Sequence, residues 1–321
     1  MNYRKLGKTG LQVSEIGMGC WAIGGAVDVQ GEPAGWGTTD DATSLRALHV
    51  ALDHGINFFD TADSYGCGHS EELLGKAFAG NRDDVIIATK GGNRVIPDEG
   101  WRKDFSPEWI SRAIDASLGR LRTDYIDVYQ IHSPAADWTY TDELVAVLDR
   151  ACEAGKLRCY GVSVANVPQG LDILSGGKRC DVFQVVHNIL QRKAEERLFP
   201  ASLEAGVGII TRVPLQSGFL TGKFSADTVF PPNDHRSRRN PPEVVKDKVA
   251  KVEKLRPLAE ARGTSLVRLA LLYCLSPQAV SVVIPGAKTP EQIRDNAAAS
   301  DEMPLTEEEI SQIRAVSDGT A

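Results

Sequence analysis

The chain has 321 residues, 42% of them hydrophobic and 25% charged, with 30 glycines and 16 prolines. These are globular proportions, and they exclude a disordered or fibrous protein. Thirty-six basic residues against 43 acidic ones leave a net charge of −7, which excludes a general nucleic-acid binder, because a phosphate footprint needs a positive surface.

The opening stretch 1–10 is polar, carries Arg4, Lys5 and Lys8, and has no apolar run behind it, so no signal peptide is expected. Nothing further on approaches the roughly 18 apolar residues of a membrane span. From residue 13 onward, short apolar runs rich in β-branched residues recur, at 13–19, 56–60, 85–89, 126–131, 160–164, 182–186, 207–212 and 280–284. Each has the length of a buried parallel strand. Amphipathic helical stretches lie between them, at 42–52, 107–121, 141–154, 265–274 and 290–298. The second opens with Ser106 as N-cap and Pro107 at the first helical position. Eightfold alternation predicts a closed α/β barrel, the (β/α)8 TIM barrel, as a single domain over 1–321. An open doubly wound sheet would carry GxGxxG after its first strand, and Gly17, Gly19, Gly24 and Gly25 lack that spacing. Two regions break the rhythm. A proline-rich, basic stretch at 214–244, with Pro231, Pro232, Arg236, Arg238 and Arg239, reads as a long loop after the seventh strand and a lid. Extra helices follow at 245–262 and at 306–317, the latter with a Thr306/Glu309 capping box.

Active sites of such barrels sit at the C-terminal ends of the strands. Asp60 ends the second strand, Tyr65 follows five residues later, Lys90 ends the third and His132 the fourth. Taken singly, these are ordinary turn, packing and cap residues. Together they should converge. A buried lysine needs a carboxylate; its ammonium should lower the tyrosine pKa and fit the phenol for proton transfer; a neutral histidine can orient a carbonyl oxygen. The six cysteines are scattered without a CxxC pair, which fits reduced thiols in a cytoplasm, and the six histidines show no metal-binding spacing.

In order and context, Asp60, Tyr65, Lys90 and His132 resemble the catalytic tetrad of the aldo-keto reductases. The resemblance spans nearly the whole chain: Met18-Gly19-Cys20-Trp21, the run from Asn57 to Gly66, Ser70-Glu71-Glu72-Leu73-Leu74-Gly75, Gly161-Val162-Ser163, Pro214-Leu215 with the run from Gly218 to Lys223, and Ile284-Pro285-Gly286-Ala287-Lys288. It is nearest the bacterial branch similar to potassium-channel β-subunits. What it implies is NAD(P)H-dependent reduction of an aldehyde or ketone, with Tyr65 as general acid, Lys90 tuning it, Asp60 holding Lys90 and His132 positioning the carbonyl. It implies a carboxamide site at Ser163 and Gln184, and a pyrophosphate wrap through Pro214, Leu215, Ser217, Gly218, Leu220 and Lys223. Gly286, Lys288, Thr289, Gln292 and Asn296 match the adenosine-phosphate site, with NADP(H) favoured over NAD(H). Gly19, Trp21, Asp60 and Arg212 complete the expected cofactor contacts, and Trp21, Tyr65, Trp101 and His132 the substrate pocket. Trp101 lies in the third-strand loop with Asp98, Glu99 and Gly100.

Several positions depart from the family pattern. Arg212 stands where an aromatic ring usually stacks on the nicotinamide. Val164 replaces a common Asn, and Gln292 a common Arg, which leaves 2'-phosphate selectivity to Lys288 and Thr289 with help from Arg294. Cys67, in the tyrosine loop, reads as a passive small residue. Beside the reductase stand two other functions: an NAD(P)-linked sugar dehydrogenase, and a cofactor-bound redox-sensing subunit with slow turnover. The expected partner is a small carbonyl or sugar substrate, with no nucleic acid and no membrane. Neither that substrate's identity nor the oligomeric state can be read from the residues.

Overall fold

The computed structural model describes residues 1–319 other than 30, 31, 34, 36, 97, 98, 232 and 233. Asp98 of the third-strand loop and Pro232 of the lid's first proline pair therefore lie outside the described residues. Eight parallel strands form one sheet: β1 (Met18–Gly19), β2 (Phe58–Asp60), β3 (Ile86–Gly91), β4 (Ile126–His132), β5 (Leu157–Ser163), β6 (Val182–Val186), β7 (Gly208–Arg212) and β8 (Val280–Val283). Their order in space follows their order in the chain. The sheet closes on itself. Gly17 N donates to Val283 O at 2.8 Å and Gly19 N to Pro285 O at 3.0 Å, with parallel bridges from Ile16 to Val283 and from Gly19 to Gly286. A side chain at position 19 would put its Cβ 2.9 Å from Ile284 O, so the seam needs glycine there.

The helices are α1 (Asp41–Asp53), α2 (His69–Ala77), α3 (Pro107–Leu121), α4 (Asp142–Glu153), α5 (Val167–Ser175), α6 (Leu198–Ala205), α7 (His235–Arg239), α8 (Pro242–Arg262), α9 (Leu266–Leu275), α10 (Pro290–Ala298) and α11 (Glu307–Asp318). Among the described residues no helix is long and apolar enough to cross a membrane. The expected caps form. The Ser106 side chain accepts from Trp109 N at the start of α3, and Thr306 and Glu309 make a reciprocal capping box on α11, which satisfies backbone donors that have no helical partner.

Two apolar layers hold the barrel. One lies between strands and helices, with Ile87, Tyr129 and Phe183 facing Ile110, Ile114 and Leu144. The other fills the interior with Phe58, Ile86, Ala88, Val128, Cys159, Val182, Ile210 and Val282. Leu6, Leu11 and Val13 join the interior layer from an antiparallel hairpin, Tyr3–Lys5 with Gln12–Ser14. Its turn binds below β7, where Lys8 N donates to Gly206 O at 2.9 Å. The hairpin thus stops the N-terminal end of the barrel and leaves the C-terminal end open.

Two expectations are corrected here. The first predicted strand divides: 12–14 belongs to the hairpin, and only Met18–Gly19 enters the barrel. Ser14 Oγ donates to Ile16 O at 2.7 Å, and this local bond takes the backbone out of the extended ladder between them. The loop predicted over 214–244 ends at Pro241, because Pro242 begins α8; proline suits a first helical turn. Nor is the stretch structureless. It contains a 3-10 turn at Gln216–Thr221 and the short α7, and the rings of Phe219, Phe224 and Phe230 pack at 5.1–6.0 Å between centroids.

Candidate active site

Strand alternation places the site. Residues two apart on a strand share a face. In β2, β3, β4, β6 and β7 the interior residues Phe58, Ala88, Val128, Val182 and Ile210 are followed on the same face by Asp60, Lys90, Gln130 then His132, Gln184 and Arg212. In β5 the same step leads from Cys159 through Gly161 to Ser163. The polar residues are thus the topmost interior layer of the barrel, at its open end.

Lys90 is fully buried and Asp60 is 3% exposed. Lys90 Nζ donates to Asp60 Oδ2 at 2.7 Å, to Thr61 O at 2.7 Å and to Tyr65 OH at 3.2 Å. All three ammonium protons therefore have partners. Burial alone would push Lys90 down, but Asp60 and Tyr65 overcome it and hold the ammonium above its usual value. Removing one member of such a buried pair typically costs about 3–5 kcal/mol. The other Asp60 oxygen, Oδ1, accepts from Gln184 Nε2 at 2.6 Å and Gln130 Nε2 at 3.5 Å.

Tyr65 follows in a tight turn and stacks beside Trp21, with ring centroids 5.9 Å apart; His132 meets it edge-on at 5.7 Å. The expected fall in the tyrosine pKa does not occur. Burial pushes the phenol up, Lys90 pulls against it, and the balance lies above the ordinary value. The phenol therefore stays protonated through neutral pH. His132 moves the other way: burial, then the charges of Lys90, Arg212 and Lys103, hold it well below its ordinary value. The neutral ring's Nδ1 lies 3.4 Å from Ser64 Oγ. With that hydroxyl donating, the ring proton stands on Nε2.

The remaining predicted residues divide. Ser163 Oγ donates to Gln184 Oε1 at 3.4 Å, so Gln184 links Ser163 to Asp60 and its amide is already engaged. Lys288 N donates to Gln292 Oε1 at 2.8 Å and Thr289 caps α10. Arg236 reaches the same corner. Its Nη1 donates to Ser217 O at 3.4 Å, and after burial its charge is the leading influence lowering both Lys288 and Lys223. Asn296 is buried in α10. Trp101 stands apart from the Trp21, Tyr65 and His132 cluster. It is 41% exposed on a hairpin, opposite Val95, and shares a face with Lys103, which bonds Ser133 O at 3.0 Å; that puts it on the edge of the mouth. The Cys67 thiol is exposed and pushed up by partial burial, as befits a passive residue.

Sequence reasoning missed the Thr61 carbonyl, Gln130 and Ser64 as supports of Lys90, Asp60 and His132. The signal for Gln130 was present, two residues before His132 on one strand; the other two depend on how the loop after β2 folds back.

Comparison with known proteins gives a consistent result. Residues 15–318 match the aldo/keto reductase family. The chain is 34% identical over 322 residues to a probable voltage-gated potassium channel subunit beta of Arabidopsis thaliana, covering 95% of this chain and 93% of that one. It is 32% identical over 311 residues to an NADH-specific methylglyoxal reductase of Escherichia coli (strain K12), covering 92% of each. The solved structure of the glycerol dehydrogenase AKR11B4 from Gluconobacter oxydans superposes with a TM-score of 0.85 at 31% identity, over 98% of this chain and 94% of that one.

Proposed function

The chain belongs to the aldo/keto reductase family of oxidoreductases, and on that basis we propose that it reduces a small aldehyde or ketone with NAD(P)H, NADP(H) being favoured, in a reducing cytoplasm. The observation that carries the reading is the buried ammonium of Lys90, bonded at once to Asp60 and to the Tyr65 hydroxyl.

The residues suit a dinucleotide. Arg212 Nε and Gln130 Oε1 are out of solvent contact and without partners, as expected of groups that await a ligand. Val213, Gln216, Ser217 and Gly218 hold left-handed backbone with φ of 48–92°, a conformation that turns successive N–H groups toward an anion. Lys223 and Lys288 stand between that turn and the start of α10, beside Arg236, which is paired with Asp234 at 2.6 Å; the two lysines favour the extra phosphate of NADP(H). When bound, the dinucleotide supplies the hydride that adds to the carbonyl carbon. Everything else falls to the protein. Nε2–H of neutral His132 orients the carbonyl oxygen. Tyr65 gives that oxygen its proton, and Lys90 stabilises the phenolate left behind. Asp60 and Thr61 O keep Lys90 charged and aimed, and Trp21 walls the pocket beside Tyr65.

The likeness to potassium channel subunits favours a second reading, a cofactor-bound sensor with slow turnover. One experiment separates the two: a panel of aldehydes, ketones and sugars assayed with NADPH and NADH in both directions, wild type against Tyr65→Phe. The reductase reading expects turnover at or above roughly 1 s⁻¹ on some carbonyl, and a loss of about 10²–10⁴-fold in Tyr65→Phe while nucleotide affinity stays within about threefold. NADPH should bind more tightly than NADH. A Tyr65→Phe enzyme retaining a tenth of wild-type turnover would refute the assignment, and slow turnover on the whole panel would favour the sensor.

A further inference from the structure

Arg212 ends β7 on the interior face, beside Val186 of β6 in register. No carboxylate pairs with it among the described residues, and its Nε is out of solvent contact without a partner. Arg212 as a whole is half-buried, and a cation withdrawn from water is ordinarily paired. The charges that reach Arg212 lie across the barrel mouth: Tyr65 and Asp60 draw on it, and Arg239 of α7 opposes it. Its own charge acts in turn on Tyr65 and His132. This guanidinium therefore faces the space that the reacting groups line, on the side of Ser163 and Gln184, and its charge is left for whatever enters.

On the reductase reading, what enters is a nicotinamide whose charge changes with its redox state. The oxidised ring is a cation and the reduced ring is neutral. A guanidinium in a partly dehydrated mouth repels the first and is indifferent to the second, and charges a few ångströms apart in such a setting interact far more strongly than in water. We propose that Arg212 makes the site hold reduced nucleotide more tightly than oxidised nucleotide, which loads the resting protein with reduced cofactor and speeds release of spent cofactor. The inference rests on the proposed NAD(P)H chemistry and adds a preference to it: the site tells the two redox states of its cofactor apart by their charge.

The test is equilibrium binding without substrate. Dissociation constants for NADPH and NADP⁺ are measured by calorimetry for wild type, Arg212→Gln, Arg212→Met and Arg212→Lys. The ratio of the NADP⁺ to the NADPH constant should fall about 10-fold or more in both neutral variants, equivalent to about 30 mV in the bound two-electron couple. In Arg212→Lys, which keeps the charge, it should stay within about threefold of wild type. A ratio that moves less than twofold in the neutral variants, or that rises, overturns the proposal and assigns the guanidinium to the substrate or to the barrel. Two neutral variants guard against one that misfolds. If wild type binds neither nucleotide, the reductase reading itself fails; if it binds both and the ratio is unmoved, only the role of Arg212 does.

Discussion

Asp63 occupies an uncomfortable place between Asp60 and Tyr65. Its Oδ1 and the hydroxyl of Tyr129 are both out of solvent contact and unpartnered. The packing is tight: a Cβ on Gly91 would come 2.0 Å from the Tyr129 hydroxyl. Around Asp63 stand Glu71 of α2 and Arg120 of α3, themselves paired at 2.6 Å. Burial, then the Glu71 charge, push the Asp63 carboxyl from 3.8 up to about 7, with Arg120 opposing. Between those two values the folded protein keeps a proton that the unfolded chain has released, so stability falls as pH rises through that window. Asp63→Asn, neutral at every pH, should be about 1–3 kcal/mol more stable than wild type at pH 8 and close to it at pH 4, as read by urea unfolding. A variant less stable at pH 8 would mean that the carboxylate has a partner worth more than its desolvation. Nothing in the sequence marks this residue. Its neighbours Asp60 and Tyr65 are legible because a strand end and a spacing announce them, whereas the state of Asp63 depends on what α2, α3 and β4 place against it.

At the scale of elements, β1 is only Met18–Gly19, whereas strands such as β4, β6, β7 and β8 were legible because each is an apolar run rich in β-branched residues and buried on both faces. So were α3, α10 and α11, whose caps are written in Ser106, Thr289 and Thr306. α2 and α6 are harder to see: both are short, they start at Gly68 and Arg197 without a side-chain cap, and α6 contains Pro200. The stretch after β7 is the least legible of all. Its proline and arginine content suits a solvated loop, yet Phe219, Phe224 and Phe230 fold it onto α8 beside Val245 and Val249. We expect this segment to act as a lid over bound nucleotide, anchored by Arg236, which bonds Ser217 O and pairs with Asp234. Hydrogen exchange should slow several-fold across 225–231 and 234–241 when NADPH is added, and Arg236→Ala should abolish that protection. Exchange that is already slow, or that ignores the cofactor, would reduce the segment to a passive brace.

For the molecule as a whole, the hairpin at the N-terminal end separates stability from chemistry. Leu6 and Val13 are fully buried and Leu11 is 3% exposed, and none approaches the open mouth. Leu6→Asp would place an unpaired carboxylate under the barrel and should cost more than about 3 kcal/mol, seen as a lowered Tm, while the surviving folded fraction keeps wild-type affinity for NADPH. A selective loss of affinity at unchanged Tm would show that the two ends are coupled.

The seam that shuts the barrel also carries a timetable. Ser300 Oγ donates to Glu15 Oε1 across 285 positions of sequence, and Gly17 and Gly19 find their acceptors only on residues 283 and 285. During synthesis from the N-terminus, a chain halted before α9 holds seven of the eight strands, with β1 and β7 both showing unpaired backbone to any neighbouring nascent chain. Such edges are templates for association. The ribosome must deliver nearly the entire polypeptide before the first strand is paired on both sides, so the nascent chain stays open to association until α9 and β8 emerge.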